Sequence, residues 1–178
     1  MTGLTSRLAG PEDIPALDAV MDAAIAELQK GFLTEAQIAS SRMVMGLDRQ
    51  LIADGTYFMV ETEGRVAGCG GWSRRATLYG GDHTAGRDAA LLDPARDAAK
   101  VRAMYTHPDH VRRGVGRLVL GRCEDFARAA GFRSVELMST LAGVPLYTAC
   151  GYHVIERTSV APPGDVPVPL VRMGKTIA

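Results

Sequence analysis

The run Thr106-His107-Pro108-Asp109-His110-Val111-Arg112-Arg113-Gly114-Val115-Gly116-Arg117 gathers residue types that bind anions. It reads as the end of a strand, a tight turn and the start of a helix. The first N–H groups of a helix have no intrahelical partner and carry the positive end of its dipole. Gly114 and Gly116 carry no Cβ there, so a phosphate can approach the backbone closely. Arg112 and Arg113 add guanidinium charge. From His107 to Arg133 six arginines stand against three acids, which is locally basic. The pattern describes a phosphate or pyrophosphate cradle. The same residues also read as an ordinary helix start, with glycines for the turn and arginines facing water.

Two common cradles do not fit. A Walker A loop needs four residues between its glycines and a lysine after the last, and neither is present. The dinucleotide fingerprint G-x-G-x-x-G would place its third glycine where Val119 stands, so the spacing does not point to NAD.

The rest of the chain is neutral. Twenty Lys and Arg balance twenty Asp and Glu, so bulk charge gives no reason to expect a nucleic-acid or anionic-membrane partner. The apolar content of 47% argues against disorder. Apolar runs such as Ala23 to Ala26 and Tyr57 to Val60 reach only four residues, against about 20 for a membrane span. Met1 to Gly10 lacks the apolar region of a secretory signal. Cys69, Cys123 and Cys150 are odd in number, widely spaced and without a C-x-x-C, which suits a reducing cytoplasm better than a disulfide framework or a metal site. The expectation is a cytoplasmic protein with no metal.

These chemical residues need elements to hold them. A strand over Leu4–Leu8 comes first. Pro11 then opens a helix whose Ile14, Leu17, Met21, Ile25 and Leu28 share one face. Thr34 is a candidate cap for a second helix running to about Ala53, stopped by Asp54-Gly55. Thr56–Thr62 and Arg65–Ser73 form a hairpin around Glu63-Gly64. Arg74–Asp97 is a long glycine-rich connection, a length that marks function or ornament. A strand over Ala98–Thr106, a helix over Gly114–Ala130, a strand over Arg133–Ser139 and a short helix opened by Pro145 follow. Strands over Tyr152–Val160 and Val168–Thr176 close the order β-α-α-β-β-β-α-β-α-β-β. This is an α+β chain with a mixed sheet, read as one domain over residues 1–178.

The stretch Val111-Arg112-Arg113-Gly114-Val115-Gly116 resembles the coenzyme A loop of the acetyl-CoA-dependent N-acetyltransferase superfamily (GNAT). That family's pattern is Arg or Gln, two residues, Gly, any residue, and Gly or Ala. Val111 departs from it at the first position. The segment Ala142-Gly143-Val144-Pro145-Leu146-Tyr147-Thr148-Ala149-Cys150-Gly151-Tyr152 resembles the family's second signature, a short helix with a tyrosine that ends in Gly-Phe or Gly-Tyr. The element order is similar over nearly the whole chain. The resemblance implies a mixed, mostly antiparallel sheet flanked by about four helices. It implies acetyl-CoA as co-substrate, held by Met104, Tyr105 and Thr106 through backbone pairing and by Val111 to Arg117 at the pyrophosphate. It also implies Tyr147 as the general acid that protonates the departing thiolate. A phenol, with a reference pKa of about 10, is protonated at neutral pH and suited to that role.

No general base is evident. Lys100 occupies the place where some relatives carry a glutamate. Glu136, Asp82, His83 and a chain of waters remain candidates, while His107 and His110 border the turn and shape it. Trp72 and the Arg74–Asp97 loop are expected on the acceptor side, and the loop's four acids lean toward a cationic amine. The implied activity is transfer of acetyl to a primary amine on a small molecule or peptide. A catalytically silent acyl-CoA sensor is the alternative. The Pro-rich final hairpin offers an edge for a homodimer.

Overall fold

The computed structural model describes residues 3–178. Seven strands make one sheet in the order β1-β2-β3-β4-β5-β7-β6. They are β1 (Thr5–Leu8), β2 (Tyr57–Thr62), β3 (Arg65–Ser73), β4 (Ala99–Thr106), β5 (Ser134–Thr140), β6 (His153–Val160) and β7 (Val168–Thr176). Every pairing is antiparallel except β4 with β5. The helices are α1 (Ile14–Glu27), α2 (Glu35–Ser41), α3 (Arg49–Ala53), α4 (Val115–Ala129) and α5 (Val144–Ala149).

Alternation along β2 divides the core. Phe58 and Val60 join the α4 side, with Val115, Val119, Cys123 and Ala127. Tyr57 and Met59 join the α1 side, with Leu17, Val20, Met21 and Ile25. This is the two-residue period of a strand covered on both faces. Close contact on the α4 side depends on small residues. A Cβ on Gly70 would lie 2.8 Å from the Val119 side chain, and one on Gly68 would lie 2.5 Å from that of Val115.

The expected second helix is two helices. Thr34 caps α2 as anticipated: its hydroxyl accepts from the Gln37 N–H at 3.2 Å and the Gln37 side chain accepts from the Thr34 N–H at 2.9 Å. The chain then leaves helical geometry between Arg42 and Asp48. Gly46 has φ +147, and Asp48 caps α3 by accepting from the Gln50 N–H. That makes five helices among the described residues and frees residues 42–48 to reach over the sheet. Among the described residues, no helix is long and apolar enough to cross a membrane, and no cluster of His, Cys, Asp or Glu could hold a metal. The three cysteines are free; Cys69 and Cys123 are buried and Cys150 is half-buried.

Candidate active site

Strands β4 and β5 pair only through Ala99 with Val135 and Lys100 with Glu136. From Val101 onward β4 has no partner on that side. Parallel pairing lost after two residues leaves a wedge and an open backbone edge. One residue beyond the split, β4 carries a bulge. Gly71 faces Arg102 but Cys69 faces Tyr105, so β4 holds one residue more than β3, and Ala103 takes φ +49. A bulge reverses the facing of everything after it. Ala99 and Val101 accordingly belong to the α4 side, whereas Tyr105 belongs to the α1 side. The Tyr57 hydroxyl donates to the Ala103 carbonyl at 2.7 Å, and the Tyr105 hydroxyl accepts from the Gly46 N–H at 3.0 Å.

A cavity of about 100 Å³ sits in the wedge. Tyr147, Val101 and Leu137 line it from the α4 side, and Met45, Ala103 and Tyr105 from the α1 side. It therefore passes through the plane of the sheet, and groups arriving from opposite faces can meet inside it.

Of the residues expected to hold a cofactor, Met104, Tyr105 and Thr106 lie on the open part of β4, with Met104 and Tyr105 lining the cavity. The turn after β4 is a single 3-10 turn, Pro108–His110, capped by His107, whose Nδ1 accepts from the Asp109 N–H. His110 is buried beside it, the two rings 5.8 Å apart. Val111, Arg112, Arg113 and Gly114 are exposed. Gly114 adopts φ +87 at the cap of α4, a conformation that favours glycine, and a Cβ on it would meet open space. Gly116 has a different reason for being glycine: a Cβ there would lie 2.5 Å from the Leu146 side chain on α5. The Val115 side chain points inward, leaving only its backbone for a ligand. Arg112, Arg113 and Arg117 form no ion pair or hydrogen bond among the described residues, and Arg112 has φ +59.

Tyr147 enters the cavity from α5. β5 ends at Thr140, whose hydroxyl accepts from the Gly143 N–H at 3.2 Å, and Pro145 fixes the first turn of α5. A Cβ on Gly143 would lie 2.9 Å from the Tyr147 ring. The ring is buried against Tyr152, centroids 5.8 Å apart, and its hydroxyl makes no hydrogen bond among the described residues. Burial pushes its phenol well above the ordinary value, so it stays protonated through the neutral range.

The base candidates lie elsewhere. Glu136 is buried at the closed end of the wedge, accepting from Lys100 through Oε1 and from two nitrogens of Arg172, at 2.6 and 2.8 Å, through Oε2. Burial works to raise its carboxyl, but the Lys100 and Arg172 bonds outweigh it and hold the group below its ordinary range. A carboxylate engaged twice and held acidic is a poor proton acceptor. Asp82 accepts from the Arg49 N–H at 3.0 Å, and a His83 ring nitrogen lies 3.0 Å from the Arg42 carbonyl. Both line a second groove of about 470 Å³ beside α1, which adjoins the cavity through Met45 and Gly46.

Trp72 belongs to the core and not to an acceptor surface: it is 2% exposed and stacks edge-on to Phe132 at 6.1 Å. Of the Arg74–Asp97 loop, only Leu78, Tyr79 and Gly80 line the cavity. The loop also carries Arg74, Arg75, Arg87 and Arg96, so its four acids are balanced and the lean toward a cationic amine loses its ground. Sequence reasoning missed what fastens this loop. Arg102, 3% exposed, donates to Asp48 at 3.0 Å and to the Gly80 carbonyl at 2.6 Å, and Arg87 reaches Asp48 at 2.5 Å. An arginine inside a strand that otherwise reads Ala-Lys-Val-x-Ala-Met was the available signal.

Residues 17–152 match a family model described as the acetyltransferase (GNAT) family. A GCN5-related N-acetyltransferase from Rhodopseudomonas palustris is similar in structure, with TM-score 0.71 and 21% identity, covering 99% of this chain and 97% of that one. The PaiA N-acetyltransferase of Thermoplasma acidophilum, solved with coenzyme A, has TM-score 0.66 and 14% identity over 98% and 99% of the two chains. YncA of Salmonella typhimurium, solved with its cofactor acetyl-CoA, has TM-score 0.64 and 20% identity over 98% and 94%. No curated protein sequence matches the chain significantly.

Proposed function

The chain belongs to the acetyltransferase (GNAT) family and is an acyltransferase, and on that footing we propose that it moves an acetyl group from acetyl-CoA directly to a primary amine. The observation that carries the proposal is the wedge: a strand edge open from Val101, beside a cavity that Tyr147 lines from one face and Met45 from the other. An open β edge accepts an extended, amide-bearing chain as an added strand, which suits the pantetheine arm. Met104, Tyr105 and Thr106 supply that edge. The backbone of Val111 to Gly116 and the unpaired Arg112, Arg113 and Arg117 hold the phosphates. The co-substrate brings an activated thioester.

The chain's own groups then have three tasks. A backbone N–H of the open β4 edge donates to the carbonyl oxygen as negative charge grows on it. Tyr147 gives its proton to the leaving thiolate, and the proton that the amine nitrogen loses as the amide forms restores the phenol. The loops over residues 42–48 and 77–83 shield the reacting atoms from water. No side chain needs to form a covalent intermediate. Residues 1–178 act as one domain in the cytoplasm, a reading supported by the single sheet and the free cysteines.

Calorimetry with acetyl-CoA, followed by release of free thiol across a panel of primary amines, tests the reading. Binding and amine-dependent thiol release are expected. Binding without release from any amine supports the silent sensor instead.

A further inference from the structure

We infer that the amine accepted here carries an uncharged, apolar substituent and enters the cavity unprotonated, without an ionic clamp. The inference deepens the proposed transfer reaction and rests on it. Among the described residues, neither a carboxylate nor an imidazole lines the cavity. Val44, Met45, Leu78, Tyr79, Met138 and Leu170 line it, and the first four are assigned to the acceptor-side wall. The one formally charged lining group is Arg102, a cation.

Behind Arg102 and behind Leu137 the charge has the same sign, whereas behind Met45 and Gly46 the adjoining groove sets Asp18, Asp22 and Asp82 against Arg42 and Arg49. Asp48 is shared by two guanidiniums, Arg102 and Arg87, with Asp82 a further 3.8 Å from Arg87 and partly exposed. Glu136, next to Leu137, is shared by Lys100 and Arg172. Each of these two clusters holds two cations on one buried carboxylate. A buried ammonium without a counter-charge is costly, and these clusters add repulsion. Entry therefore selects the neutral amine, the form that attacks a thioester. The titratable side chains facing it are Tyr79 from the long loop, Arg102 and Tyr105 from β4 and Tyr147 from α5. With neither a carboxylate nor an imidazole in the lining to take the proton, the cavity performs the deprotonation by exclusion. This accounts for the lack of a base at Glu136, Asp82 or His83. The rigid wall adds a size limit, since Arg102 ties the 77–80 segment to the Asp48 cap of α3.

The test compares kcat/KM for benzylamine and isobutylamine with that for spermidine, kanamycin and phenylalanine, using the full chain and saturating acetyl-CoA. The apolar amines should exceed the charged acceptors by at least about 100-fold. For the apolar pair, kcat/KM should rise with pH along each amine's own solution titration. A charged acceptor used as well as, or better than, the apolar amines overturns the inference while leaving acetyl transfer intact. Acetyl-CoA binding with no amine acetylated overturns the transfer reading and this inference with it. A Met45→Glu variant, at a half-buried loop position, supplies the missing carboxylate. It should shift the benzylamine-to-spermidine ratio toward spermidine by about tenfold or more, and an unchanged ratio in a folded variant counts against the assigned wall.

Discussion

Replacing Tyr147 by phenylalanine isolates a single oxygen atom. The hydroxyl has no hydrogen-bond partner among the described residues, so its removal leaves nothing unsatisfied, and the ring keeps its contacts with Tyr152 and Gly143. Stability should change by less than about 0.5 kcal/mol. Truncation to alanine would differ, because it empties a buried aromatic site at about 3–5 kcal/mol. Catalysis should respond strongly. General acid catalysis is worth roughly 10² to 10⁴-fold, and at about 1.36 kcal/mol per tenfold that is about 3–5 kcal/mol of transition-state stabilisation. The assay is steady-state thiol release with a saturating amine, alongside calorimetric Kd for acetyl-CoA. kcat and kcat/KM should fall together by that range, with Kd within about threefold. The sign of the pH effect follows from burial. A phenol whose value is raised is protonated below it, so Tyr147 imposes no falling limb in the neutral range. The general-acid role is falsified if the phenylalanine enzyme keeps more than about a third of its kcat while chemistry is rate-limiting. A tenfold loss of cofactor affinity would instead make the hydroxyl a holder of the thioester.

Other perturbations separate the remaining parts. Gly114→Val forces a β-branched residue into φ +87 and fills open space, so it should abolish measurable acetyl-CoA binding in calorimetry while the protein remains folded by circular dichroism. Arg112→Gly should relieve a left-handed arginine and raise stability by up to about 1 kcal/mol, yet weaken acetyl-CoA, which urea melts and calorimetry will resolve separately. Replacing both Arg112 and Arg113 by alanine should weaken CoA more than dephospho-CoA if one guanidinium meets the 3′-phosphate; equal losses confine them to the pyrophosphate. Glu136→Gln strands Lys100 and Arg172 and should cost about 3 kcal/mol in denaturant at pH 7. Glu136 has a lowered folded value, so its contribution is present above the ordinary carboxyl range and is lost as pH falls through the folded one; the gap between wild type and Glu136→Gln should close in acid.

Much of this molecule is legible from residue order because the signals are local. The Glu63-Gly64 turn between two strand-like runs marks β2 and β3, the 3.6-residue stripe marks α4, and Gly114-Val115-Gly116 after Pro108-Asp109 marks the turn where β4 becomes α4. What stayed hidden depends on partners distant in sequence. The expected helix runs through Arg42–Asp48, but Gly46 at φ +147 breaks it and Asp48 is seated between Arg102 and Arg87, partners far away in sequence. The bulge at Ala103 leaves no compositional trace, yet it decides that Tyr105 faces α1 while Val101 faces α4. Trp72 illustrates the reverse error: an aromatic residue at the mouth of a long loop suggests a ligand wall, and the structure buries it against Phe132. Glu136 had the right chemistry for a base, but Lys100 and Arg172 occupy both of its oxygens.

The central claim is that acetyl passes straight from acetyl-CoA to an amine in the wedge between β4 and β5. Acetyl-CoA with an isotopically labelled acetyl group, incubated with the full chain and benzylamine and followed by mass spectrometry of product and intact protein, tests it directly. The account predicts labelled N-acetylbenzylamine in equal amount to free thiol, and an unmodified protein mass both with the amine and with acetyl-CoA alone. A labelled acetyl adduct on the protein that forms without amine, and is then discharged onto it, would contradict direct transfer.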